Sequence, residues 1–189
     1  QMIIKKADSF TDDTLIDILS SGGTGIVPCD TIYGIVGISP DTEERIRQIK
    51  RSSSAKHFIR LIETTEQLKQ FTDIYIETEL LSLWPGPLTL VVPTYHGNTI
   101  GLRVPDDPYL QKMLSLIKKP LISTSVNRSG CDPLEDIDTI IKNFEKDVDI
   151  IVDGGDLKNK KPSTVLDVTE KPYKILRKGT IKIPHYMLT

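Results

Sequence analysis

Apolar positions along the chain alternate between helical and extended spacing, with short polar connections between them. Thr11-Asp-Asp-Thr14 supplies a cap and an acidic first turn for a helix burying Leu15, Ile16 and Leu19. Gly22-Gly-Thr-Gly25 stops that helix, and Ile26-Val27 opens a strand. Pro40-Asp41-Thr42 starts a second helix in which Ile46 and Ile49 share a face. The pattern then predicts a strand over Phe58–Ile62 and helices over Thr64–Phe71 and Glu77–Leu83. Pro85-Gly86-Pro87 announces the apolar strand Leu88–Val92. A helix over Pro108–Ile117 precedes a strand at Leu121–Thr124, and a helix near Asp136–Phe144 precedes one at Asp149–Val152. Two last strands fall at Val165–Val168 and Lys174–Leu176.

Strands interleaved with helices imply layered α/β architecture. The Pro-punctuated strands in the middle and at the end predict a mixed sheet over a purely parallel one. A length of 189 residues suits one domain covering 1–189, and the sequence carries no internal repeat, linker or low-complexity tract.

Composition narrows the class. Hydrophobic residues make up 38% and charged residues 26%, a globular balance. The 24 basic and 26 acidic residues leave a net charge of −2, which argues against non-specific nucleic-acid binding. A locally basic groove for RNA stays open. Cys29 and Cys131 lie far apart without metal-ligand spacing, so reduced thiols in the cytoplasm are the expectation. No apolar run reaches bilayer length, and no membrane contact is expected. Gln1 ahead of Met2 reads as a cloning residue, with the native start at Met2.

Covalent catalysis is poorly supplied. His57, His96 and His185 sit near no nucleophile elbow and form no HExxH pair, and Gly22-Gly-Thr-Gly25 lacks the Gly-Lys-Ser/Thr of a phosphate loop. What the chain offers is polar chemistry at the ends of apolar strands. Ile26-Val27-Pro28 runs into Asp30-Thr31-Ile32-Tyr33-Gly34, and Leu121-Ile122 runs into Ser123-Thr-Ser-Val-Asn-Arg-Ser-Gly130. Arg103 is the lone cation in the apolar segment Gly101–Pro105. Ligands of open α/β sheets bind at such strand ends, and a strand-borne guanidinium suits a carboxylate or phosphate. Each stretch also fits a bland role: Ser/Thr/Asn loops are commonly turns, and Asp30 could cap one.

The order of these stretches resembles the YrdC family. Pro28-Cys-Asp-Thr-Ile-Tyr-Gly34 is similar to its Pro-Thr-Asp-Thr-x-Tyr-Gly motif, and Ile49-Lys50-Arg51 to the beginning of its Lys-x-Arg segment. Trp84-Pro-Gly-Pro-Leu-Thr89 matches a family signature almost letter for letter. Gly101–Pro105, Thr124–Gly130, Pro162-Ser-Thr-Val165 and Ile175-Leu-Arg-Lys-Gly179 follow in the family's order. The resemblance implies an α/β fold with a YrdC-like twisted open mixed β-sheet flanked by helices. It also implies synthesis of threonylcarbamoyl-AMP and pyrophosphate from L-threonine, bicarbonate and ATP with Mg²⁺. Such a product feeds partners that modify tRNA.

By the same resemblance, Thr31, Tyr33, Arg103, Ser123 and Ser163 fall on threonine-site positions, with Arg103 gripping the carboxylate. Lys50, Lys56, Thr99, Ser125, Asn127 and Arg177 fall around the ATP, and Lys50 and Arg177 supply the catalytic positive charge. Departures are present. Ser52 and Ser53 stand where the family carries arginine and proline, Leu61 where many relatives carry a threonine-contacting histidine, and Cys131-Asp-Pro133 where a Ser or Thr is usual. These fit a YciO-like paralogue with weak or altered nucleotide chemistry, or a double-stranded RNA-binding module. A carbamoyl-transfer module of the kind found in hydrogenase-maturation proteins is a third reading, less expected because these 189 residues carry none of its companion domains.

Overall fold

A computed structural model describes residues 2–5, 11–53 and 58–189. The strands are β1 (Met2–Lys5), β2 (Gly25–Val27), β3 (Gly34–Ile38), β4 (Arg60–Leu61), β5 (Leu88–Pro93) and β6 (Thr99–Arg103), then β7 (Leu121–Ser125), β8 (Ile150–Asp153), β9 (Thr164–Asp167) and β10 (Lys174–Arg177). The α-helices are α1 (Thr11–Ser20), α2 (Glu43–Ile49), α3 (Thr78–Leu81), α4 (Pro108–Ile117) and α5 (Ile137–Phe144), with 3₁₀ turns at Thr65–Gln70 and His185–Met187. All ten strands join one sheet in the order β1-β8-β2-β3-β7-β4-β6-β5-β9-β10. The pairs β1/β8, β8/β2, β4/β6 and β5/β9 are parallel and the other five antiparallel, so the sheet is mixed as the proline placement predicted.

Helix α4 begins where its chemistry says it should. The Asp107 carboxylate accepts from the Tyr109 and Leu110 amides at 2.8 and 3.3 Å, Pro108 occupies the first turn, and Lys118 ends the helix at φ 58°. In α5 the cap is Asp136, whose carboxylate accepts from the Thr139 amide at 2.9 Å. Other segments depart from the sequence pattern. The expected strand Phe58–Ile62 contracts to Arg60–Leu61, and the expected helix Thr64–Phe71 is a 3₁₀ turn. The helix expected over Glu77–Leu83 is a single turn. Strand β3 had no alternating signature, because every residue from Gly34 to Ile38 is buried and both its faces are covered.

Burial divides the sheet into two regions. Around β2, β3, β7 and β8 both faces are covered. Leu15 and Leu19 of α1 and Leu110, Met113 and Leu114 of α4 pack against Val36, Ile38, Leu121 and Val152. On the opposite face Ile46 and Ile49 of α2 and Ile140 and Phe144 of α5 pack against Ile26, Ile35, Ile122 and Ile151. Around β6, β5 and β9 only one face is filled: Leu88, Leu90, Val92, Ile100, Leu102 and Leu166 pack beneath Leu80, Trp84, Tyr173 and Met187. Side chains alternate across a strand, so Thr99, Gly101 and Arg103 of β6 emerge on the other face together with Val91, Val165 and Asp167. That half-covered face is open.

Candidate active site

The open face is the floor of a cleft of about 710 Å³. One wall is the turn Thr31–Gly34 leading into β3, with the end of β7 at Ser123–Ser125; the other is Pro162-Ser163 before β9, with Leu176 and Arg177 of β10. One glycine lets each wall pack closely within itself. A Cβ on Gly34 would come within 2.7 Å of Ser123 Oγ, and one on Gly179 within 2.6 Å of Pro162 O and Thr164 N.

Eight of the residues expected from sequence line this cleft: Thr31, Tyr33, Thr99, Arg103, Ser123, Ser125, Ser163 and Arg177. Lys50 and Asn127 stand immediately behind its wall. Lys50 Nζ donates to Ser125 O at 2.6 Å, to Ser125 Oγ at 3.4 Å and to Asn127 Oδ1. Ser125 Oγ donates to Asn127 Oδ1 at 2.8 Å, and Asn127 Nδ2 donates to Cys131 O at 2.6 Å. Lys56 lies outside the described residues. Tyr33 is wholly buried. Its hydroxyl donates to Gly155 O at 2.6 Å and accepts from Gly154 N at 3.0 Å, so it ties the turn to the end of β8 and gives the cleft only its ring.

Both guanidinium groups of the cleft are held by the protein. Arg103 is 3% exposed, and its Nη1 donates to both Asp30 oxygens at 2.9 Å and towards Gly86 O at 3.4 Å. Asp30 Oδ2 also accepts from the Asp106 amide at 2.9 Å. A buried cation needs such a counter-charge. Arg177 is held differently, through two neutral oxygens: Nε donates to Ser163 O at 2.9 Å and Nη2 to Ser163 Oγ at 3.0 Å. Ser163 Oγ shares a 2.7 Å hydrogen bond with Thr89 Oγ1 in the core strand β5.

The segment Trp84–Thr89 therefore reaches both cations, Arg103 through the Gly86 carbonyl and Arg177 through Thr89 and Ser163. Trp84 Nε1 donates to Leu88 O at 2.6 Å, and the Gly86 amide donates to Val104 O at 2.9 Å, which fixes the turn against β6.

Electrostatics follow burial. Burial brings Lys50 down to about 8 from an ordinary 10.5. Burial and then the nearby Arg103 charge lower Arg177. Burial, against the opposing pull of Arg103, pushes the Cys29 thiol up to about 12, which leaves it a protonated packing group and no nucleophile. Among the described residues no histidine lines the cleft, and no group of three His, Cys, Asp or Glu side chains converges. The arrangement can hold anions and hydroxyl-bearing ligands, align them and neutralise charge. Leu61 lines the cleft as an apolar, fully buried side chain. Arg51 is exposed at φ 52°, next to Ser52.

Sequence reasoning missed three participants. Asp30 falls in the strand-end stretch and the Pro28–Gly34 motif, yet its sequence context assigns it no role as a partner of Arg103. Asp167 lies on the cleft face of β9, two positions after Val165. Thr89 closes a segment whose apolar neighbours disguised its one buried hydroxyl.

A profile of the Sua5/YciO/YrdC family, described as telomere recombination, matches residues 17–179, and the chain belongs to that family. Solved structures agree. Sua5 of P. abyssi in complex with L-threonine superposes with a TM-score of 0.84 at 25% identity, covering 94% of this chain and 57% of the other. An alanine variant of the same P. abyssi protein gives 0.84 at 27% identity, with coverage of 94% and 60%. This chain thus spans under two thirds of the length of those Sua5 chains. E. coli YciO gives 0.78 at 26% identity, covering 95% of this chain and 94% of its own. The mixed open sheet flanked by helices is the fold of this family.

Proposed function

We propose that the cleft binds L-threonine and ATP side by side and makes L-threonylcarbamoyl-AMP, releasing pyrophosphate. The observation that carries this reading is a buried, carboxylate-backed Arg103 sharing one cleft with Arg177 and a hydroxyl-lined strand end. The P. abyssi Sua5 structure with L-threonine supports placing an amino acid in this fold. In this reading Arg103, with Thr31, Ser123 and Ser163, holds the threonine, and Tyr33 shapes its wall. Lys50, Thr99, Ser125, Asn127 and Arg177 surround the nucleotide; Lys56 is assigned to it by the family resemblance alone.

The chemistry needs no protein nucleophile. The threonine amine adds to bicarbonate with loss of water to give a carbamate. A carbamate oxygen attacks the α-phosphorus of ATP, the bond to the β-phosphate oxygen breaks, and pyrophosphate leaves with its electron pair. The protein aligns the two ligands and offsets the growing negative charge, with Lys50 and Arg177 as the cations. Mg²⁺ arrives on the triphosphate as part of the substrate, bound mainly through phosphate oxygens and water. In this reading the adenylate passes to enzymes that modify tRNA, and the reaction belongs to the cytoplasm. No described helix is long and apolar enough to cross a membrane.

The test is pyrophosphate release from ATP by the purified chain with threonine and bicarbonate supplied or withheld. Release that does not depend on threonine overturns the reading. A second reading, a YciO-like paralogue with altered nucleotide chemistry and double-stranded RNA contact, is favoured by Ser52 in the arginine position and by the full-length match to E. coli YciO. It predicts salt-dependent RNA binding without ATP and no threonine-dependent turnover.

A further inference from the structure

Three consecutive residues grasp the turn that carries Lys50. Asn127 Oδ1 accepts from Lys50 Nζ, the Ser129 amide donates to Lys50 O at 2.7 Å, and between them Arg128 Nη1 donates to Ile49 O. Arg128 reaches further. Its Nη2 donates to Asn143 O at 2.8 Å and to Asp147 Oδ2 at 2.7 Å, and its guanidinium carbon lies 4.1 Å from the centroid of the Phe144 ring. Ile49 is the last residue of α2, and Asn143 and Phe144 end α5. One planar cation therefore sits at the C-terminal ends of two helices, where backbone carbonyls concentrate negative potential.

We propose that Arg128 is a positioning residue, clamping the ends of α2 and α5 so that the Lys50 ammonium is held against Ser125 and Asn127 at the cleft wall. This rests on the reading of Lys50 as a phosphate-facing cation. The turn needs a clamp for a physical reason. Helix α2 has seven residues, and Arg51, directly after Lys50, adopts φ 52°, a conformation unfavourable for a residue with a Cβ. Without Arg128 the carbonyl of Ile49 loses its side-chain donor, and the cheapest relaxation rotates the turn outward. Lys50, now 6% exposed with its ammonium surrounded by three protein oxygens, then exchanges them for water. A helix staple with no bearing on Lys50 is the competing account.

The experiment uses the full chain with Arg128→Met, which keeps an unbranched apolar side chain there, and Arg128→Lys, which keeps the charge but not the fork. The Lys50 side-chain titration is followed by NMR of labelled lysine, assigned with Lys50→Arg, and pyrophosphate and ATP affinities are measured in parallel. In the native chain burial holds Lys50 at about 8. Both variants are expected to raise that midpoint by about one unit or more and to weaken pyrophosphate binding roughly tenfold. A rise in Arg128→Met alone would reflect only the lost like charge, and would overturn the clamp. So would a lowered melting temperature with the Lys50 midpoint and pyrophosphate affinity unchanged. If Arg128→Met does not fold, Arg128→Lys decides alone. A native chain that binds neither ATP nor pyrophosphate sinks the proposed function, while the Lys50 titration still decides the clamp.

Discussion

The two regions of the sheet use the same strand chemistry to opposite ends. Around β2, β3, β7 and β8 helices fill both faces, and the strands read as continuous apolar runs such as Gly34–Ile38. Around β6, β5 and β9 one face is filled and the other is covered only at its Thr89–Arg103 end, and the strands alternate, as in Thr99-Ile-Gly-Leu-Arg103. The difference teaches that this cleft is an uncovered sheet face. Thr99, Arg103, Ser123, Ser125 and Arg177 sit on the rigid period-two lattice of the strands, while Thr31, Ser163, Lys50 and Asn127 come from the connections around it.

That contrast is sharpest at Arg103. Arg103→Ala strands the Asp30 carboxylate in the interior, and the expected loss is about 3–5 kcal/mol of stability together with threonine-dependent turnover falling beyond ~100-fold. Urea titration and a pyrophosphate assay read the two; unchanged stability would mean that Asp30 finds water and the pair is not buried. In the doubly covered region Ile151→Ala should lower stability by about 2–4 kcal/mol, while threonine and ATP affinities per folded molecule stay as they were. Affinity falling in step with stability there would erase the distinction between the regions.

Lys50 links the regions, and its proton gives a pH signature. Its folded value, about 8, lies below the ordinary 10.5, so the unfolded chain binds that proton more tightly. Its contribution to unfolding free energy must therefore rise with pH between about 8 and 10.5, by up to ~3 kcal/mol. Cys29 and Tyr33, both raised to about 12, work in the opposite sense as the pH climbs. The measurement is thus the difference between the native chain and Lys50→Met across pH 7 to 10 by denaturant midpoint, and a flat difference would refute the buried ammonium.

The smallest effect is expected at Thr89→Val, which removes one buried hydroxyl and keeps the shape. Loss of the Thr89–Ser163 hydrogen bond should weaken ligand binding about tenfold with little change in stability, and Thr89→Ser should restore it. Equal losses in Thr89→Val and Thr89→Ser would show that packing, and no hydroxyl relay, supports Arg177.

Much of this was legible along the chain, and the reasons differ by residue. Helix α4 matched its predicted ends because Asp107, Pro108 and Lys118 encode start and stop locally. Arg103 stands out as a cation within an apolar strand-like segment, Arg177 is marked only by the family resemblance, and both line the cleft. Strand β3 escaped because burial on both faces erases alternation, and the 3₁₀ turn Thr65–Gln70 because apolar spacing does not separate three residues per turn from 3.6. The Asp30–Arg103 and Arg128–Ile49 contacts span 73 and 79 residues, and only the tertiary fold creates them.

Arg177 hangs on β10, which is last in the sheet and bonded on one side only. A terminal strand is where amide protons exchange first, since it can peel while the remaining nine stay paired. Occupying the cleft and seating that strand are then a single equilibrium. A nucleotide analogue that engages Arg177 should slow deuterium uptake at Lys174–Arg177, and prising this margin loose would empty the site of one cation while the rest of the fold stands.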